Sequence, residues 1–172
     1  RFILESGKPI LGVCYGMQAL VHQLDGVVAA SDKREYGHAV LNVADTQSPL
    51  FQGLPEQFPV WMSHGDAITR LPDGLRAIAQ SENSPVAAMS DGKNIYGMQF
   101  HPEVVHTANG KELLANFAFR VCGCEASWTS DTFIEANITE IRERVGDGRV
   151  ICALSGGVDS AVVASQIGRA HV

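Results

Sequence analysis

The stretch PILGVCYGMQAL, Pro9 to Leu20, changes its hydrophobic period at a single residue. Up to Val13 it is a short apolar run of the buried-strand type, and the following YGMQALVHQLDG reads as a helix closed by Gly26. A chain that passes from strand to helix through one cysteine, Cys14, commits itself to a layered α/β arrangement with a sharp turn at that residue. Gly12 and Gly16 frame the turn and leave room for close approach.

The rest of the chain extends this reading. VVAAS, HAVLNVA, FPVWMS, LRAIAQ, PVAAMS and KNIYGMQFH are short β-type runs separated by Gly, Pro, Asn and Asp. NGKELLANFAFRVCG then carries apolar residues at helical spacing. SDTFIEANITEIRERVGDG opens on Ser130 as N-cap and sets Phe133, Ile134, Ile138, Ile141 and Val145 on one stripe. RVICAL is expected to be a strand, and SGGVDSAVVASQ a glycine turn into another helix. The predicted organisation is a mixed α/β domain over 1–124, a linker and helix over 125–148, and the first βα step of a further domain over 149–166.

Composition excludes several functions. At 172 residues with 45% apolar content the chain can bury a sizeable core. Its net charge is −6, and its basic residues nowhere cluster beyond Lys33-Arg34, so neither nucleic acid nor an anionic membrane is an expected partner. No apolar run reaches the roughly 20 residues of a membrane span, and the expected location is the cytoplasm. The four cysteines, Cys14, Cys122, Cys124 and Cys152, have no disulfide-framework or zinc spacing, and neither a metal site nor a bound prosthetic group is expected.

Chemistry gathers at two places. A cysteine on a strand-to-helix turn has its sulfur lifted clear of the sheet, and the amide donors and dipole of the helix favour the nucleophilic thiolate. A buried core cysteine is the other reading of Cys14. A nucleophile needs a base and the base an orienting group, and YGMQFHPEV supplies both. In extended chain His101 and Glu103 point to the same side, and Pro102 between them donates no competing hydrogen bond. That geometry lets a carboxylate hold an imidazole.

GVCYGMQ together with QFHPE resembles the class I glutamine amidotransferases, whose Cys-His-Glu triad releases ammonia from glutamine through a glutamyl thioester. The resemblance implies Cys14 as nucleophile, His101 as base, Glu103 as orienting acid, and the amide near Tyr15 as an oxyanion donor. It also implies that Gln18 and the segment Ser63, His64, Gly65 and Asp66 hold substrate glutamine, with His64 in support. Within the family, REYGHA, VWMSHGD and YGMQFHPEVVHTANGKELLANF are similar to the members that feed ammonia to the amination of XMP to GMP.

ALSGGVDSAVVA, Ala153 to Ala164, lacks the lysine of a Walker loop. It resembles the pyrophosphate-binding loop of the N-type ATP pyrophosphatases, of adenine-nucleotide α-hydrolase-like fold. This implies ATP contacts from Ser155, Gly156, Gly157, Val158, Asp159, Ser160 and Ala161, where Ala161 replaces a serine common among relatives. Amides and hydroxyls converging on a helix N-terminus suit such an anion. The implied partners are glutamine, ATP with magnesium, and XMP, in a protein that forms a homodimer through a domain absent here. The alternatives are an amidotransferase of another pathway, such as anthranilate or CTP synthesis, or an inactive amidotransferase-like binding module. The resemblance further implies that the amidotransferase domain begins before Arg1, and that the pyrophosphatase domain is cut short. IGRAHV, 167–172, leaves the apolar helix pattern at Gly168 and is expected to be a non-native, adapter-derived tail.

Overall fold

The computed structural model describes residues 2–170. The chain divides into two compact units, one ending at Cys124 and the other beginning at Glu125. In the first, a short helix α1 (Phe2–Glu5) precedes β1 (Ile10–Val13) and α2 (Tyr15–Gln23). There follow β2 (Val27–Val43), a 3-10 turn at Pro49–Phe51, β3 (Gln57–Arg70), β4 (Arg76–Gln80), β5 (Ala88–Ser90) and β6 (Ile95–Met98). Helix α3 (Gly110–Ala115) continues as a π-helical turn over Asn116–Val121.

The six strands form one mixed sheet in the order β1-β6-β5-β4-β2-β3. β1 and β6 are parallel and the remaining neighbours antiparallel. A mixed α/β unit was the expectation, and the strand-cysteine-helix passage is as anticipated. Side-chain alternation along β6 divides the core between the two faces of the sheet. Tyr96 and Met98 join Leu41, Leu50, Val60, Ile78 and Leu113 in the larger cluster. Gly97 faces the smaller one, in which Met17 and Val21 of α2 meet Ile68 and Met89.

Helix α2 lies unusually close to the strands because glycine stands beneath it twice. A Cβ on Gly12 would come 2.7 Å from the Gly16 backbone and from Leu20 Cδ1, and one on Gly97 would come 2.6 Å from Met17 Cγ. That closeness fixes where α2 begins, and with it the position of Cys14.

Two expected strands, VVAAS and HAVLNVA, are one 17-residue strand, β2, with an irregular register between Ala30 and Glu35. Its partner β3 runs for 14 residues, so Ser63 to Asp66 lie inside a strand, whereas a strand end was expected. The long antiparallel pairing carries the polar residues along, with Glu35 opposite His64 and Tyr36 opposite Ser63. Alternation along β3 buries Phe58, Val60, Met62 and then His64 on the core side.

In the second unit α4 (Ser130–Val145) packs with α5 (Val158–Ala170). The N-cap is Thr129, one residue before the expected Ser130, because its hydroxyl accepts from the Thr132 amide while the Thr132 hydroxyl accepts from the Thr129 amide. Ile138 is the buried centre of the expected stripe, with Ile134, Ile141 and Val145 partly covered. Phe133 departs from it, remaining exposed beside Trp128 with ring centroids 5.6 Å apart.

RVICAL is not a strand. Among the described residues of this unit there is no other strand to pair with, and Ile151 and Leu154 stand exposed. Unpaired backbone has no ladder to join, so the expected βα step is present as a turn and a helix. Helix α5 also continues through Gly168 to Ala170, where the helical expectation had stopped. One glycine costs a helix only about 1 kcal/mol, and Arg142 donates to the Arg169 and Ala170 carbonyls, both at 3.0 Å. The last two residues of the expected tail, His171 and Val172, lie outside the described residues.

Candidate active site

Cys14 occupies the turn between β1 and α2 with φ 50° and ψ −110°, a backbone conformation that L-residues rarely adopt. The turn is held on both sides. The Cys14 amide donates to the Met98 carbonyl at 2.7 Å, and the Cys14 carbonyl accepts from Met17 and Gln18 at 3.1 and 3.2 Å. The sulfur is thereby raised above the carboxyl ends of two parallel strands, where open α/β sheets place ligands.

The second element of the site follows β6 directly. His101 is three residues beyond the end of that strand, and its Nδ1 is 2.7 Å from Oε1 of Glu103. Partial burial pushes the Glu103 carboxyl up, but the His101 hydrogen bond and charge, with its own backbone amide, outweigh this and bring it below its ordinary value. The two side chains do meet, but Pro102 and Glu103 lie in a turn, so the turn after β6 and not extended chain brings them together.

Strand β3 joins the two elements. The Trp61 carbonyl accepts from the His101 amide at 3.0 Å, and the Ser63 carbonyl lies 3.6 Å from the Cys14 sulfur as acceptor for its thiol. Carbonyls two residues apart on a strand face the same way. One strand edge therefore anchors both the cysteine and the histidine.

Gln99, which sequence reasoning passed over, completes the surroundings of the sulfur. Its side chain is buried, and Nε2 donates to Cys14 Sγ at 3.7 Å while Oε1 accepts from Gln18 Nε2 at 3.1 Å. Gln18 Nε2 also lies 3.4 Å from the Asp66 carbonyl. Gln99 stands two residues before His101, on the stretch that links β6 to it. Glu35, also missed, is buried opposite His64, and only the β2-β3 register reveals it.

The Cys14 thiol is raised above its ordinary pKa. Burial pushes it up, the Tyr15 amide and Gln99 pull it down, and the charge of Glu103 pushes it up again. This corrects the expectation that the helix N-terminus would carry the thiol toward the thiolate: desolvation of the charged form is the larger effect. The Tyr15 amide acts on the sulfur itself, favouring its charged form. Beside it an open cleft of about 280 Å³ is lined by Tyr15, Gln18, His22, Val28 and Asp66 among others.

Of the segment expected to hold glutamine, Ser63 and Asp66 present carbonyls toward Cys14 and Gln18, and Gly65 stands between His64 and Asp66. His64 turns inward to Glu35.

In the second unit the Ser155 hydroxyl accepts from the Gly157 amide at 3.4 Å and lies 3.2 Å from the Ser160 hydroxyl, which donates to the Gly157 carbonyl at 2.9 Å. Gly156 has φ 83°, and Val158 to Ala161 form the first turn of α5. From Ser155 through Asp159 the loop is exposed, as is Ala161. Among the described residues no group of three or more His, Cys, Asp or Glu is arranged to hold a metal ion, and no helix is long and apolar enough to cross a membrane.

The family described as "Glutamine amidotransferase class-I" matches residues 1–121. The chain belongs to that family. It is 59% identical over 169 residues to a protein named GMP synthase [glutamine-hydrolyzing] from Dehalococcoides mccartyi, and 56% identical over 170 residues to one of the same name from Thermomicrobium roseum. Each match covers 98% of this chain and 32% of the relative, so the chain spans about a third of the length of these curated relatives. Among solved structures it is similar to a putative GMP synthase subunit from Thermoplasma acidophilum, with TM-score 0.66 and 32% identity over 78% of this chain and 64% of that one. A glutamine amidotransferase from Thermotoga maritima shares the fold at TM-score 0.55 and 24% identity, over 98% of this chain and 62% of that one.

Proposed function

We propose that this chain carries the glutaminase site of a cytoplasmic enzyme that makes GMP from XMP, ATP and glutamine. The observation that carries the reading is the convergence of Cys14 and His101 on one edge of β3, through the Ser63 and Trp61 carbonyls. In the proposed reaction His101, oriented by Glu103, takes the Cys14 proton as the sulfur attacks the carboxamide carbon of glutamine. The Tyr15 amide steadies the resulting oxyanion. His101 returns the proton to the departing nitrogen, releasing ammonia and leaving a glutamyl thioester, and water then frees glutamate and restores the thiol. A raised thiol pKa suits this order, because the proton stays on sulfur until substrate arrives. Gln18 and the Ser63 to Asp66 backbone would bind the amino-acid end of glutamine beside the cleft.

The names of the relatives support GMP as the product, and SGGVDS supports the use of ATP. Ser155, Gly156, Gly157, Val158, Asp159, Ser160 and Ala161 would receive its phosphates at the start of α5, with magnesium carried on those phosphates. ATP would adenylate the C2 oxygen of XMP with release of pyrophosphate, and ammonia would then displace AMP to give GMP. The full-length enzyme would act as a homodimer through parts outside this chain, which light scattering would detect.

The test uses the full-length protein. Wild type should release ammonia from glutamine and form GMP when XMP and ATP are supplied, and Cys14→Ala should abolish the glutamine-dependent reaction while GMP formation from added ammonia persists. Ammonia release that is indifferent to Cys14 would refute the glutaminase assignment, and ammonia release without GMP would refute the product.

A further inference from the structure

The buried pair of Glu35 and His64 does not touch the cleft, yet a line of hydrogen bonds runs from it to the nucleophile. Both side chains are almost wholly buried, at 7% and 6% exposure, a setting in which charged groups are rare unless paired. His64 Nε2 is 3.2 Å from Glu35 Oε2, and His64 Nδ1 is 2.9 Å from the Asp66 carbonyl oxygen. A carbonyl can only accept, so Nδ1 must carry the proton directed at Asp66. The carboxylate is secured in turn by the Ser81 hydroxyl, which donates to its two oxygens at 2.9 and 3.0 Å, and the Ser84 hydroxyl lies 3.4 Å from Nε2. The same Asp66 carbonyl receives Gln18, Gln18 donates to Gln99, and Gln99 donates to Cys14. Every donor and acceptor along this line is used in a consistent sense.

We propose that Glu35 and His64 are positioning residues of the glutamine site: Glu35 sets the ring of His64, whose Nδ1 holds the Asp66 carbonyl in place for Gln18. The inference rests on the glutaminase reading for its substrate and on the β2-β3 register for its geometry. A buried carboxylate-imidazole pair is a poor source of stability compared with apolar packing, and fixing one arrangement is the role assigned to it here. The arrangement fixed here is the interior of β3, which offers carbonyls to Cys14 and Gln18 and has no other side chain buried between His64 and Ile68 to hold it.

In full-length protein, Glu35→Ala should raise the KM for glutamine at least tenfold while kcat falls by less than threefold. Hydrogen exchange in the peptide containing Ser63 to Asp66 should quicken by about tenfold or more, while β1 and α2 exchange as in wild type. His64→Asn, whose amide can replace Nδ1, should lose less glutamine affinity than His64→Gln, whose amide replaces Nε2. An unmoved KM in Glu35→Ala, or asparagine and glutamine variants equally impaired with matching losses of Tm, would overturn the proposal and leave a purely structural pair. If wild type itself released no ammonia, the glutaminase reading would fail separately, and the exchange at Ser63 to Asp66 would still decide the positioning: quickened exchange would support it and unchanged exchange would overturn it.

Discussion

At the level of single residues the site is a contest over one thiol. Burial and the nearby charge of Glu103 keep the Cys14 proton in place, while the Tyr15 amide and the Gln99 side chain work against them. A hydrogen bond to a charged group is worth about 1.5–3 kcal/mol, and each pKa unit corresponds to about 1.4 kcal/mol. Removing the Gln99 donor therefore lets the thiol rise further. Gln99→Leu should shift the pH profile of Cys14 alkylation by iodoacetamide upward by about one unit, with the modified cysteine identified by peptide mass. It should also lower kcat/KM for glutamine by about tenfold or more, since Gln18 loses its partner. An alkylation profile that stays put would mean that the 3.7 Å contact contributes nothing to the charge on sulfur.

Elements decide where that residue can stand. The turn at Cys14 depends on α2 lying close against β1, and the two glycines that frame the turn carry different burdens. A Cβ on Gly12 meets backbone at 2.7 Å, which cannot move aside, whereas a Cβ on Gly16 meets nothing within 4 Å. Gly12→Ala should lower stability by about 1–3 kcal/mol. Gly16→Ala, in the first turn of a helix, should raise it by up to about 1 kcal/mol. Thermal or denaturant unfolding of both variants tests the contrast, and equal effects would refute it. The pattern of the chain made β1, α2 and the His101-Glu103 pair legible, because each is a local matter of period or of near neighbours in sequence. It could not reveal that β2 is a single strand, because SDKREYG carries turn-forming residues and pairing with β3 resumes only at Glu35, after the irregular register. Glu35 was not legible either, since a charged residue in a polar stretch acquires meaning only when the register sets it opposite His64.

Across the whole molecule two turns of similar design meet different surroundings. Cys14 and the Ser155 to Ser160 loop both sit where chain enters a helix N-terminus, the place where backbone amides are unpaired and anions are welcome. Around Cys14 the preceding strand is paired with β6 and the turn is fixed by the Met98 carbonyl. Ahead of Ser155 the chain has no strand partner among the described residues, and the loop is shaped by its own hydroxyls: Ser155 accepts from Gly157 and lies against Ser160. The consequence can be measured in the full-length protein, which supplies the remainder of the sequence. Ser155→Ala removes both contacts at once, and two neutral hydrogen bonds at about 1 kcal/mol each correspond to a loss of roughly tenfold to thirtyfold. GMP formation should fall by that factor, with a matching rise in the KM for ATP, so that the ratio of GMP formed to ammonia released drops. GMP formation and ammonia release falling in equal proportion would show that Ser155 acts on the glutaminase as well. An unchanged KM for ATP would remove the loop from the phosphate site, because a side chain that shapes a phosphate cradle cannot be deleted without the nucleotide registering its loss.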